Sequence, residues 1–257
     1  MSSERAPLRL DRRLCCLVLA AGGVPVLAAP AELQAFTENL PPLNYLEDGQ
    51  AQGFSCELLR LVAAEAGLPL RIEVLPWQRA VQEAARQREG LLFSLTRLPE
   101  REAQYQWVGP ISQRRILIYR LKGRGDVQPA SLAQLGTLRI GVARDSAAAM
   151  QLQAAGLNPD TNLELGLDDV HNLRKLLAGR MELIVLLDWA AAWHLRRLQL
   201  PPDTLVPVLP LDVDKSYWYG LPAGADPALA RRLQDALDRL KRDGRYERLR
   251  QRYLGGA

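Results

Sequence analysis

The side chains best suited to chemistry in this 257-residue chain are Arg101, the hydroxyls of Ser94 and Thr96, the ring of Trp77, the Asp145-Ser146 pair and Asp188. Arg101 offers a planar fork of N–H donors matched to a carboxylate, and at a helix start one such fork holds an acid head group through two hydrogen bonds. Glu100 and Glu102 flank it, so a surface ion pair is the alternative. Ser94 and Thr96 fall at the end of a buried strand expected at Leu91 to Leu95, where hydroxyls and backbone N–H groups face a cleft. Trp77 follows Pro76 at the end of another strand; its flat ring either stacks on a ligand or covers a cation, or else packs in the core. Asp145-Ser146 precedes a helix whose first N–H groups can hold an anion, although Asp145 equally suits an N-cap. Asp188 ends a strand and precedes a helix opening at Trp189, which it can cap.

Positioning these groups requires a scaffold of alternating strands and helices. Leu33 to Thr37 reads as a strand, and Phe54 to Ala66 as a helix closed by Gly67, with Leu58, Leu59, Leu61, Val62 and Ala66 on one face. Leu70 to Leu75 is a strand, Trp77 to Arg88 a helix and Leu91 to Leu95 a strand. After a polar connector, Lys122 to Pro129, the series restarts. Leu138 to Val142, Leu163 to Leu165 and Glu182 to Leu187 are strands; Ala147 to Ala155, Asp168 to Leu177 and Trp189 to Leu198 are helices. Lys215 to Leu221 reads as a strand that leaves this second series, and two helices, Pro227 to Arg242 and Tyr246 to Leu254, finish the chain. Such alternation argues for an α/β protein with a mainly parallel sheet.

Composition excludes several functions. Arg5, Arg9, Arg12 and Arg13, then the apolar run Leu14 to Ala21 and the small residues Ala29-Pro30-Ala31, form an export signal, so residues 1–31 are expected to be a cleaved signal peptide. Without its four arginines and two acids, the net charge of +4 falls to near +2. The remaining arginines are interleaved with acids, which argues against nucleic-acid binding. The chain has three cysteines and two histidines. Cys15 and Cys16 lie in the leader and Cys56 stands alone, so neither a disulfide nor a Cys/His metal site is expected, and no cofactor is expected.

Several segments, in order, resemble the bacterial extracellular solute-binding proteins of family 3, the polar amino-acid-binding type. They are Asn39 to Tyr45 with Gly49, Gly53-Phe54 and Glu57-Leu58-Leu59; Pro76 to Ala80; Ser94 to Glu102 with Trp107 to Pro110; Ser131 to Leu135; Ile140 to Val142; Leu177 to Glu182; and Lys241 to Tyr246. The resemblance spans nearly all of Leu33 to Leu254. It implies a bilobed type II periplasmic-binding fold, two doubly wound α/β lobes joined by hinge strands near Ile118 to Leu121 and Lys215 to Gly220. The lobes would be 32–119 with 220–257, and 120–219, with the ligand at the carboxyl ends of the strands.

The resemblance further implies a periplasmic, monomeric protein that is not an enzyme and captures a small polar solute, an amino acid or related carboxylate, for a membrane ABC permease. Arg101 would hold the ligand carboxylate, Ser94 and Thr96 would hydrogen-bond it, and Asp188 would meet an ammonium group. The sequence departs from the family at Leu40, Leu98 and Asp145, and Leu187 falls where the family has its acid. Two other readings stay open: a sensor acting in trans, or a dehydratase-like enzyme for cyclic carboxylic acids using Glu38, Asp145 or Asp188.

Overall fold

The computed structural model describes residues 32–144 and 146–254. The signal-peptide expectation for residues 1–31 and the expectations for Asp145 lie outside these described residues. The first series comprises β1 (Leu33–Thr37), the hairpin β2 (Tyr45–Glu47) and β3 (Gln50–Gln52), α1 (Phe54–Glu65), β4 (Leu70–Val74), α2 (Trp77–Arg86) and β5 (Leu91–Thr96). A 3-10 turn, Pro99–Gln104, leads into the long strand β6 (Tyr105–Leu121). The second series is β7 (Ile140–Ala143), α3 (Ala147–Ala154), β8 (Leu163–Gly166), α4 (Asp169–Leu177), β9 (Leu183–Leu187) and α5 (Asp188–Arg197). A second long strand, β10 (Leu205–Pro222), returns the chain to α6 (Pro227–Arg242) and α7 (Arg245–Leu254).

Eight strands form one sheet in the order β4-β1-β5-β10-β6-β9-β7-β8. β1 is parallel to β4 and β5, and β7 is parallel to β8 and β9, so each half repeats the order second, first, third strand. Strands covered on both faces are mainly apolar, and Leu91 to Leu95, with Ser94 as its one polar residue, and Leu183 to Leu187 are buried along their whole length. In the first half, α1 and α6 pack Leu58, Leu59, Leu233 and Leu237 into the main core. Burying each of these leucines is worth roughly 1.5–3 kcal/mol. On the opposite face α2 sets Ala80 and Ala84 against Phe36, Leu92 and Leu95. The second half has α3 over Ile140, Val142 and Leu163, and on its other face α4 and α5 bury Leu173, Leu176 and Leu195.

The long strands pair antiparallel from Tyr105 opposite Pro222 to Leu121 opposite Leu205. β10 gives Tyr217 to Gly220 to β5, and β6 gives Ile116 to Arg120 to β9. The changeover from one half to the other therefore falls at residues 113–115 and 212–216, where the register shifts on both sides of Asp212. Ile118 to Leu121 lies past it, since Ile118 is already paired with Val185 and buried in the second half. At the changeover Arg114 Nη1 donates to Asp212 Oδ2 (2.5 Å), and Lys215 Nζ donates to both oxygens of the same carboxylate (2.9 and 2.8 Å).

The halves also touch beside these strands. Trp189, near the start of α5, joins the core of the first half, its ring 4.7 Å from that of Phe54.

Candidate functional site

Several of the expected residues fall at the carboxyl ends of the central parallel strands. In doubly wound sheets this is where ligands bind. Glu38 follows β1, Thr96 ends β5, Ser146 follows β7 and Asp188 follows β9.

Thr96, Arg101 and Trp77 converge on the first half. Leu98 is extended, and the 3-10 turn from Pro99 closes with the Arg101 N–H donating to the Leu98 carbonyl (2.9 Å). This turn carries Arg101 back over the end of β5, with Nη1 3.5 Å from the Thr96 carbonyl and the guanidinium carbon 5.8 Å from the centre of the Trp77 ring. Trp77 is held by its place at the first position of α2, directly after Pro76. The alternative partners of Arg101 do not engage it: Glu102 accepts from Arg97 Nε (2.8 Å), and the Arg97 guanidinium lies over Trp218 at 4.9 Å. Among the described residues Arg101 makes no ion pair, and it is half-buried. Burial raises the Glu38 carboxyl above its ordinary range, and the positive field of Arg101 partly opposes this.

Ser94 is elsewhere. It is 3% exposed, with a left-handed φ of 54°, uncommon for a residue other than glycine. Its hydroxyl donates to Asn44 Oδ1 (2.5 Å) and lies 3.0 Å from Ser55 Oγ. The side chain thus ties β5 to the loop ahead of α1, beneath the region of Thr96. Thr37 and Asn44 complete this buried polar layer by donating to the carbonyls of Phe93 (3.1 Å) and Glu38 (2.6 Å).

In the second half Ser146 is the N-cap of α3, its Oγ accepting from the Ala149 N–H (3.1 Å). Pairing of β9 with β6 runs without a bulge through Leu187, and α5 begins at Asp188 itself. The carboxylate of Asp188 accepts from the Trp189 N–H (2.8 Å) and is raised by burial, against the favourable effect of that hydrogen bond and of Arg115.

Between the halves lies Tyr217 of β10, buried, with its phenol pushed up to about 12 by burial. Arg114 opposes that rise, while the charges of Glu38 and of Asp188 both add to it. One tyrosine on a connecting strand therefore senses carboxylates from both halves. In the sequence Glu38 stands out only as an available acid, and neither Arg114 nor Tyr217 stands out at all. The position of Glu38 just after the first strand is the signal that pointed to it; nothing in the run Gln113-Arg114-Arg115 marked one arginine as buried.

Two cavities flank the loop from Asn39 to Glu47. One, of about 550 Å³, is lined by Glu38, Val74, Leu75 and Trp77 together with Asn39 and Leu46. The other, of about 530 Å³, lies between that loop and helices α4 and α5. Among the described residues no group of three His, Cys, Asp or Glu side chains is placed to hold a metal ion, and no helix is long and apolar enough to cross a membrane.

Known proteins share this arrangement. The curated membrane-bound lytic murein transglycosylase F of Ectopseudomonas mendocina (strain ymp) is 26% identical over 234 residues, which are 88% of this chain and 46% of that protein. The chain thus spans about half the length of this relative. Among solved structures, a histidine kinase sensor domain with similarity to periplasmic binding proteins superimposes with a TM-score of 0.70 at 22% identity, covering 88% of this chain and 97% of the other. An ancestral cationic amino acid solute-binding protein gives 0.73 at 17% identity, over 87% and 95%. The arginine-, lysine-, histidine-binding protein ArtJ of Geobacillus stearothermophilus gives 0.66 at 19% identity, over 88% and 96%. These structures share the fold, the bilobed periplasmic-binding type. The family model of the bacterial extracellular solute-binding proteins, family 3, matches residues 34–256, and the chain belongs to that family.

Proposed function

We propose that this protein captures a small carboxylate-bearing solute, an amino acid or a related acid, between its two lobes and hands it to a membrane ABC permease in the periplasm, after export by a leader within residues 1–31. The observation that carries the reading is Arg101: a half-buried guanidinium, over the ring of Trp77, with no carboxylate partner among the described residues. A fork of this kind holds an acid bidentately. Thr96 is a neighbouring polar contact, Glu38 and Asp188 are the acids facing an ammonium group, and the N-terminus of α3 behind Ser146 offers N–H groups.

Ser94 acts one layer down, by holding β5 against Asn44. We divide the lobes inside the two long strands, a few residues ahead of the expected boundaries at 119/120 and 219/220. The pairing pattern supports a hinge at residues 113–115 and 212–216, where two strands alone connect them.

Thermal melts with a panel of amino acids, opines and organic acids test the reading, because a ligand bound only by the folded state raises the melting temperature. At least one carboxylate is expected to do so, and Arg101→Ala is expected to abolish that shift while leaving the unliganded melt in place. A panel that moves nothing, or an Arg101→Ala protein of undiminished affinity, would sink the proposal. A second reading, a module whose bound state is read by another polypeptide, draws on the match to less than half of a larger relative. It is favoured if the liganded protein binds a signalling partner and stimulates no uptake.

A further inference from the structure

The second cavity belongs to neither the Arg101 region nor the hinge, and its walls come from both halves of the chain. Tyr45 and Glu47 reach it from β2, Arg174 from α4, and Trp193, His194 and Arg197 from α5. Its volume of about 530 Å³ suits a small molecule, for which pockets run roughly 300–1,000 Å³.

Three features of this cavity concern what it would hold. The rings of Tyr45 and Trp193 are in contact, 5.7 Å between centroids at an angle of 55°, and form one aromatic wall of the cavity. Arg197 lies over Trp193 at 4.8 Å and within 3.6 Å of Glu47, so this pair is neutral overall. Arg174 makes no ion pair among the described residues, and it leaves the lining with a net positive charge. Finally, His194 is 6% exposed and its imidazole makes no hydrogen bond among the described residues. Its nearest acid is Asp169, with Oδ2 at 4.0 Å, which does not itself line the cavity.

An imidazole with no protein partner can donate to or accept from a ligand atom, and such a bond contributes about 0.5–1.5 kcal/mol. Burial lowers the His194 imidazole to about 4, so near neutral pH the ring meets a ligand as an uncharged donor and acceptor.

We propose that this cavity is a second binding site, for a small aromatic carboxylate, whose acid group pairs with Arg174, whose ring packs against the wall made by Tyr45 and Trp193, and whose bound state ties α4 and α5 to the β2 loop. Because the ligand touches both halves, it favours one arrangement of them, and any preference the cleft ligand has for that arrangement couples the two sites reciprocally.

Isothermal titration of the protein with 4-hydroxyphenylacetate and indole-3-acetate tests this, with benzylamine and aliphatic hexanoate as controls. The aromatic acids are expected to bind, and both controls to bind at least tenfold more weakly. Arg174→Gln, a change at an exposed position, and Trp193→Ala are each expected to weaken binding tenfold or more. If Trp193→Ala fails to fold, Trp193→Leu replaces it with the same expectation. Arg101→Ala is expected to change the affinity less than twofold, which separates this site from the proposed cleft. Absence of binding at millimolar probe overturns the proposal, as does binding that Arg174→Gln leaves unchanged or that Arg101→Ala removes.

Discussion

Removing the carboxylate of Asp212 is the most informative single perturbation of the region where the halves join. Its side chain is 12% exposed and that of Arg114 10%, while Lys215 reaches water at 39%. Taking one partner from a buried ion pair leaves the other charge uncompensated, at about 3–5 kcal/mol. With Lys215 able to turn to solvent, only the Arg114 charge is stranded, so the lower end, about 3 kcal/mol, applies to Asp212→Leu. For a folded region of this size, 1 kcal/mol moves the melting temperature by roughly 2–4 °C, so a fall of about 6–12 °C is expected.

The decisive comparison is the double variant Arg114→Met/Asp212→Leu. Replacing both partners by apolar groups of similar volume is often neutral or stabilising, so the double variant should melt within about 3 °C of the parent. Calorimetry of the parent, both single variants and the double variant completes the cycle. A double variant as unstable as Asp212→Leu alone would refute the claim that a stranded charge is what costs stability here. The acid limb gives an independent check. Burial alone would raise the Asp212 carboxyl, but hydrogen bonds from Lys215 and Arg114 outweigh it and hold the group below its ordinary value. A depressed carboxyl contributes stability above its unfolded value near 4 and loses it as pH falls further, so Asp212→Leu should flatten the melting profile below about pH 4.

Other predictions concern buried groups. His194 is lowered to about 4 by burial, against an unfolded value near 6.5, so its contribution falls as pH drops from about 6.5 to 4. Asp169 is raised to about 6 by burial and by Asp168, so its contribution has the opposite slope between about 4 and 6. His194→Phe should therefore leave a protein that loses stability as pH rises through that window, and Asp169→Asn one that loses it as pH falls; denaturant midpoints that track together in both would contradict the assignment. The Tyr219 hydroxyl is buried without a partner, so Tyr219→Phe is expected to leave the melting temperature unchanged or raise it by up to about 1 kcal/mol equivalent. Trp189→Ala removes a ring from the first-half core and should cost about 3–5 kcal/mol, read as a lower denaturant midpoint.

Local pattern made most elements legible. β1 and α6 have the bounds expected from the sequence, and α1, β4, β5 and α4 differ by a residue or so; all but β1 have a Gly, Pro or Asp at or beside one end to mark it. The long strands were hidden. β6 runs through Gly109-Pro110 and Arg114-Arg115, and β10 through Pro207 and Pro210, residues that ordinarily end or demote a strand. They extend here because each has the other as a partner along nearly its whole length. The helix Trp77 to Arg88 was read two residues too long, because charged residues beyond Arg86 keep helical propensity while the backbone at Gln87 is already extended.

The site was legible to the extent that strand ends are legible. Thr96, Arg101 and Trp77 lie near one another because each sits within a few residues of the end of β4 or β5. Ser94 differs because β5 is irregular there: its φ is left-handed, the pairing with β10 shifts register beside it, and the Asn44 that receives its hydroxyl is 50 residues away in sequence. Asp188 also depended on detail that spacing does not show, namely that β9 ends at Leu187 without a bulge and the helix starts one residue earlier than expected.

The place of β10 in the sheet also sets an order of assembly. The second half closes within one continuous stretch, since β6 from Ile116, β7, β8, β9 and the first part of β10 all fall between residues 116 and 211. The first half cannot close until β10 has returned to pair with β5 and α6 has covered α1. During synthesis its exposed strand edge waits for more than a hundred further residues, whereas the later half needs only its own. Nonlocal closure of this kind is slow, so pulse-labelled hydrogen exchange during refolding should protect Leu183 to Leu187 before Leu91 to Leu95.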